Sequence, residues 1–445
     1  MDCIIHNGTI VNDGALRQGD LYIRDDRIVD DATPLRRPQH FDATGCYVMP
    51  GVIDTHVHFR DPGLTHKADF ESESRAALAG GVTSVVDMPN TVPPTTTLSA
   101  LEAKEEMAAA KSHVNYGFML GATNDNIDDL LSLPPERYAA IKLFLGSSTG
   151  NMLVNDAEAL DRLFKYSRQL IVAHCEEEGI IQANLHNMAV SGDLAHATAA
   201  IHPKIRTTEA CFVSTYKAIE RARKYNTRLH VAHLSTATEL SLLSNRPVGE
   251  KNITAEVTPN HLWFDDRDYA RYGNLIKCNP AIKGNDDRLA LWAGLMDGLL
   301  DTIGTDHAPH TLEEKRRPYL DAPGGIPSIQ HSLQMMLESL FSPAVTAQED
   351  YDSLLHTLFP LIVDKMCHNP ATIFGIADRG FLRPGYYADI VVVEPAEVEV
   401  TRESLHYKCG WSPLEGSTFH TRIRQVFLGG MPTPQGTAQA LKFNK

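Results

Sequence analysis

Val52-Ile53-Asp54-Thr55-His56-Val57-His58-Phe59-Arg60 is an apolar, β-branched run that turns polar at its end. Side chains two apart on a strand point to the same face, so His56 and His58 project together. Other strand-like runs also end in a chemically active group: 139–145 around Lys142, 170–174 at His174, 229–233 at His233 and 301–305 just before Asp306. Runs at 82–88, 115–120 and 253–257 complete the set, and helical stretches at 71–79, 99–110, 156–168, 207–223 and 286–300 alternate with them. About eight βα units over roughly 300 residues predict a (β/α)8 barrel, a TIM-like α/β fold. Alternation alone leaves a doubly wound sheet open. The barrel is preferred because it gathers the C-terminal ends of all its strands at one mouth, where these polar groups would meet.

The flanks read differently. Short segments at 3–5, 9–11, 20–24 and 27–29 are separated by Asn7-Gly8, Asp13-Gly14 and Asp25-Asp26, the pattern of a β-meander. Runs at 388–393, 397–400 and 421–428, bounded by Pro384-Gly385, Pro395 and Gly429-Gly430, resemble them. The expected organisation is a barrel over 49–378 with a small β-sandwich domain built from 1–48 and 379–445. The interval 175–228 should hold extra helix. The stretch 308–328 has no clear period, and loops of that length are usually functional or disordered.

Composition narrows the function. Of 445 residues, 43% are hydrophobic and 22% charged, enough for a large core. The net charge of −15 and the absence of a basic run argue against a nucleic-acid partner. No run is long and apolar enough to cross a membrane, and the N-terminus lacks a signal-peptide core. Seven scattered cysteines without a C-x-x-C pair are neither a disulfide framework nor a thiolate metal site, so a cytoplasmic protein is expected.

One H-x-H pair is more often packing than chemistry. Four histidines and a carboxylate, gathered from the ends of four different strands, are a nitrogen/oxygen donor set suited to Zn²⁺, with Mn²⁺ or Co²⁺ admissible. Arg60, two residues beyond His58, offers a bidentate clamp for a carboxylate. Gly146-Ser147-Ser148-Thr149-Gly150 matches the G-x-S-x-G nucleophile elbow, but that motif needs a helix at once, and Asn151-Met152-Leu153-Val154 intervenes. Cys175 should be a buried, inert thiol facing away from His174. Arg206 and Glu209 read as a supporting or capping pair, and His261 as either a border of the site or packing.

The motifs Gly51-Val52-Ile53-Asp54-Thr55-His56-Val57-His58-Phe59-Arg60-Asp61-Pro62-Gly63, Asp87-Met88-Pro89-Asn90-Thr91, Ile141-Lys142, Val172-Ala173-His174-Cys175-Glu176, Val231-Ala232-His233 and Gly304-Thr305-Asp306-His307-Ala308-Pro309-His310 resemble the dihydroorotase family of the amidohydrolase superfamily. The resemblance runs from residue 51 to about 328, and Leu382-Arg383-Pro384-Gly385 resembles the superfamily's return into its small β domain. It implies two zinc ions per subunit: one on His56, His58 and Asp306, the other on His174 and His233. Lys142 would bridge them as a CO₂-derived carbamate. Asp306 would be the catalytic proton carrier. Arg60, Asn90 and His310 would hold the substrate carboxylate, and Asn279 with Pro323 and Gly324 would read the ring's amide edge. The reaction implied interconverts dihydroorotate and N-carbamoyl-aspartate in pyrimidine biosynthesis, with the two metals, Arg60 and His310 forming a local anion-attracting patch in an acidic molecule. A homodimer, or association with aspartate carbamoyltransferase, is also implied by resemblance, and the region 146–151 lies near a substrate-covering loop of relatives. Allantoinases usually carry Asn at position 60, and hydantoinases a D-x-H-T-H-L run, so Arg60 opposes those readings. A non-catalytic scaffold is opposed by retention of the full donor set.

Overall fold

The computed structural model describes residues 2–146 and 152–444. The chain opens with β1 (Cys3–Asn12), β2 (Ala15–Arg24), β3 (Arg27–Val29), β4 (Gln39–Asp42) and β5 (Tyr47–Pro50). There follow β6 (Val52–Val57), β7 (Val82–Asp87), β8 (Asn115–Phe118), β9 (Leu120–Gly121), β10 (Ile141–Phe144), β11 (Ile171–His174), β12 (Leu229–Val231), β13 (Ile253–Val257) and β14 (Thr302–Ile303). The last strands are β15 (Ile390–Glu399), β16 (Thr418–Leu428) and β17 (Met431–Pro432).

From β6 to β14 all pairing is parallel. β8 and β9 are two halves of one stave interrupted at Met119, whose N–H donates to Asp87 of β7 while Leu120 N–H donates to Ala140 before β10. The ring closes where Val57 of β6 bridges His307 beyond β14, and His58 N–H donates to the His307 carbonyl at 2.8 Å. A doubly wound sheet would leave β6 and β14 as separate edges, so this closure makes the fold an eight-staved barrel. β6 and β7 are buried at every position, as expected for strands covered on both faces. Four helices between staves start at side-chain caps: Asp69 for Phe70–Ala79, Thr97 for Leu98–Lys111, Asp156 for Ala157–Tyr166 and Thr207 for Thr208–Tyr225. The interval after β11 carries the expected additional helix, Glu178–Ser191, and a short turn, His202–Ile205.

The flanking strands form one sheet in the order β17-β16-β15-β5-β1-β2-β3, with β4 beside β1. Two turns expected from the sequence are absent. Asn7-Gly8 is instead a bulge inside β1: Asn7 takes φ 60° and the register shifts between Ile5 and Gly8. A Cβ at Gly8 would lie 2.5 Å from Val48 Cγ2, which explains the glycine. Likewise β15 runs through Pro395, with an irregularity before Val398 absorbing the missing N–H. Residues 440–443 leave this sheet: Leu441 and Phe443 pack with Ile53, Ala139, Ala140 and Leu170 at the opening of the barrel strands. Among the described residues no helix is long and apolar enough to cross a membrane, and the cysteines are free thiols.

Candidate metal centre and active site

The strand ends converge as the barrel requires. A cavity of about 250 Å³ is lined by His56, His58, Lys142, His174, His233 and Asp306, and by Arg60, Asn90, Asn279, His310, Pro323 and Gly324. Every site residue singled out from the sequence thus borders one space; Phe144, Ala308 and Gly325 complete its wall. Three of these residues hold backbone conformations uncommon outside glycine, with φ of 65° at Arg60, 39° at His233 and 48° at Asp306. Such strain concentrates at functional sites.

Ligand atoms of His56, His58 and Asp306 lie within 4.8 Å of one another. His56 Nδ1 lies 2.6 Å from Glu256 Oε1, and His58 Nδ1 lies 2.7 Å from Asn90 Oδ1. These acceptors take the ring protons, because burial holds both imidazoles below their ordinary pKa and hence neutral. Both Nε2 lone pairs then face Asp306 Oδ1, at 3.3 and 3.0 Å. Lone pairs from three groups meet with no proton between them, an arrangement that calls for a cation.

His174 and His233 form the adjoining pair, with ring centroids 4.6 Å apart and His174 Nδ1 2.9 Å from His233 Nε2. His174 Nε2 donates to Glu176 at 2.9 Å, and Arg206 donates to the same carboxylate oxygen at 2.5 Å. Arg206 therefore supports the site through Glu176. His233 Nδ1 is buried without a hydrogen-bond partner among the described residues. So is Lys142 Nζ, on a fully buried side chain whose pKa burial lowers to about 8. A buried amine without a hydrogen-bond partner, its pKa lowered toward neutrality, gives up its proton more readily than a free lysine and so is open to modification.

Opposite the histidines lies a second wall. Arg60, 6% exposed, donates from Nε to the Pro309 carbonyl at 3.1 Å, and its Nη2 lies 3.2 Å from His310 Nε2. Lys67 Nζ lies 3.0 Å from His310 Nδ1 and 2.8 Å from Glu314 Oε1. An ammonium can only donate, so Nδ1 accepts and Nε2–H points to the Gly324 carbonyl at 3.1 Å. Burial and the neighbouring Arg60 lower the His310 pKa to about 3. His310 is therefore a neutral donor, and the positive charge here comes from Arg60 and from Lys67, itself paired to Glu314. Asn90 lines the cavity, and its Oδ1 orients His58.

The aperiodic stretch 308–328 is ordered and functional in placement. Lys315 Nζ donates to the carbonyls of Lys277, Pro323 and Gly325, and Lys277 Nζ to those of Tyr319 and Ala322. From the other side, Trp411 Nε1–H donates to the His310 carbonyl at 2.8 Å. Cys175 is buried, with its thiol pKa pushed up by burial. His261 serves packing, bonded to Thr258 and to the Pro280 carbonyl. Residues 147–151, which include Ser148 and most of the expected covering loop, lie outside the described residues.

The sequence reading assigned no role to several groups the site uses. Asp54 accepts from His56 N–H, Thr305 N–H and Thr305 Oγ1–H, joining β6 to the segment after β14. Asp54 precedes His56 by two residues and Glu176 follows His174 by two, so strand periodicity pointed to both. Glu256 and Lys67 carry no such local signal.

A model of the amidohydrolase family matches residues 47–432. The dihydroorotase of Halobacterium salinarum is 33% identical over 414 residues, covering 92% of each chain, and that of Lactobacillus johnsonii is 30% identical over 442 residues, covering 97% and 98%. Among solved structures, an L-hydantoinase (dihydropyrimidinase) from Arthrobacter aurescens superposes with TM-score 0.90 at 25% identity over 99% of both chains. A dihydropyrimidinase from Brevibacillus agri gives 0.84 at 25% identity, covering 100% of this chain and 97% of that one.

Proposed function

This chain belongs to the amidohydrolase family, and on that premise we propose that it acts as a dihydroorotase, interconverting (S)-dihydroorotate and N-carbamoyl-L-aspartate in pyrimidine biosynthesis. The observation that carries this reading is that one small cavity is lined both by the histidines, Asp306 and Lys142 and by Arg60 and His310. Hydrolysis of a cyclic amide needs only the first set. A buried guanidinium is costly unless an anion meets it, and the ring carboxylate of dihydroorotate is that anion. The similarity to dihydroorotases at 30–33% identity supports the same choice.

In this reading His56, His58 and Asp306 would hold one Zn²⁺, His174 and His233 would hold a second, and Lys142, as a carbamate, would add anionic oxygen donors between the two sets. The carbamate forms from the neutral amine and CO₂ with release of a proton, replacing a repelled ammonium by an anion with two donor oxygens. When bound, such a metal pair supplies Lewis-acid activation of water and of the scissile carbonyl. The protein's own groups do the rest. Arg60 clamps the carboxylate, and His310 borders it as a neutral imidazole whose Nε2–H is shared with the Gly324 carbonyl. Asn279 and the Pro323-Gly324 backbone meet the amide edge. Asp306, ionised, receives a proton at its carboxylate and passes it to the departing ring nitrogen; in reverse the same carboxylate takes it back as the ring closes.

The test is turnover of dihydroorotate against hydantoin, allantoin and dihydrouracil by zinc-loaded protein. The reading predicts a preference for dihydroorotate; equal or better turnover of a ring without a carboxylate overturns it. Intact-mass measurement after bicarbonate treatment should show a CO₂ adduct that Lys142→Ala lacks.

A further inference from the structure

Residue His202 lies outside the metal centre, in the short turn His202–Ile205 contributed by the insertion after β11, and is 2% exposed. Its Nε2 lies 2.9 Å from the Cys278 carbonyl and 3.1 Å from Asn279 Oδ1, and its Nδ1 lies 2.8 Å from the Tyr319 hydroxyl. The Cys278 carbonyl can only accept, so Nε2 carries the proton and Nδ1 accepts from Tyr319. The same proton faces Asn279, which identifies the facing amide atom as oxygen. Asn279 therefore cannot flip without setting an N–H against an N–H. Its amide is also confined from the other side: a Cβ on Gly324 would sit 3.1 Å from Asn279 Nδ2 and 3.2 Å from Cγ.

We infer that His202 is a positioning residue that sets the Asn279 amide as a donor toward the ring carbonyl edge of the substrate, with Tyr319 fixing the tautomer. This rests on the function proposed above. Three separate chain segments meet at this imidazole: the insertion, the 278–280 segment and the 308–328 stretch that carries His310 and Gly324. The arrangement selects a ligand whose facing atom accepts a hydrogen bond, and it disfavours one that presents an N–H there.

The experiment is steady-state kinetics of the zinc-loaded full chain with dihydroorotate for wild type, His202→Phe, His202→Gln, Tyr319→Phe and Asn279→Ala, and for the His202→Phe/Asn279→Ala double variant. Loss of one well-placed donor predicts a rise in KM of about tenfold for His202→Phe with kcat within about twofold. His202→Gln, which keeps a donor amide, should recover most of it. Tyr319→Phe, which keeps the ring packing, should raise KM less than His202→Phe does, and it serves where His202→Phe fails to fold. In an Asn279→Ala background, His202→Phe should add nothing, whereas a purely structural histidine would add its full effect. Zinc content should match wild type throughout. Additive losses, or unchanged KM in both His202→Phe and Tyr319→Phe, overturn the inference. Failure of wild type itself to turn over dihydroorotate overturns the functional reading instead.

Discussion

Gly304→Ala tests whether the metal centre depends on Glu256. An added Cβ would stand 2.2 Å from Glu256 Oε2, 2.7 Å from its Cδ and 3.2 Å from His56 Cβ. Ordinary carbon contacts begin near ~3.5 Å, so the carboxylate must retreat by about 1 Å. It cannot do so freely, because Oε1 is held by His56 Nδ1 at 2.6 Å and by His233 N–H at 3.1 Å. Overpacking of this kind costs about 1–3 kcal/mol. For a chain of 445 residues the unfolding entropy is about 0.9 kcal/mol/K, so Tm should fall by only ~1–3 °C. Loss of the partner that orients a ligating histidine should weaken metal binding by about 10–100-fold. The assay pairs a thermal melt with zinc competition against a chromophoric chelator. Gly249→Ala, where an added Cβ meets nothing within 4 Å, is the control. Zinc affinity within twofold of wild type in Gly304→Ala would refute the reasoning.

Asp306→Asn should keep at least one equivalent of metal yet lower kcat by about 10²–10⁴-fold, checked by metal analysis beside steady-state rates; a near-normal rate would exclude the proton-carrying role. Arg60→Met should reduce kcat/KM for dihydroorotate by about 10²–10³-fold while leaving uncharged dihydrouracil nearly unaffected, and a uniform loss would remove the carboxylate clamp from the account. Burial lowers the Lys315 pKa to about 7, so between pH 7 and its unfolded value the unfolded chain binds more protons. This contribution is full above the unfolded value and is lost as pH falls through about 7. Stability of wild type relative to Lys315→Met, from urea titrations across pH 6–10, should therefore rise with pH; a flat or falling difference would contradict it.

What was legible in the sequence follows the reach of each signal. Strand periodicity fixes which side chains share a face, so His56, His58 and the other strand ends could be gathered before any coordinates. The same periodicity could not show that Glu256 reaches His56 across two hundred positions, or that Lys67 meets His310. Asn7-Gly8 and Pro395 read as turns because a positive φ and a missing N–H are local facts, whereas a bulge is decided by the neighbouring strand. His202 was invisible for a related reason: its partners lie on two other segments, and nothing in its own stretch marks it.

Trp411 and the pairing of β5 with β15 have a consequence in time. Residues 47–50 pair with β1 on one side but cannot find their second partner until 390–393 have been synthesised, and the Trp411 prop beneath His310 arrives later still. Loop-closure entropy over so long a separation also makes this pairing slow. The histidine wall needs only barrel strands, so metal affinity can mature on a nascent chain that does not yet have its full carboxylate-binding wall. Birth order thus leaves the His310 backbone without its Trp411 support until the last part of the chain is made.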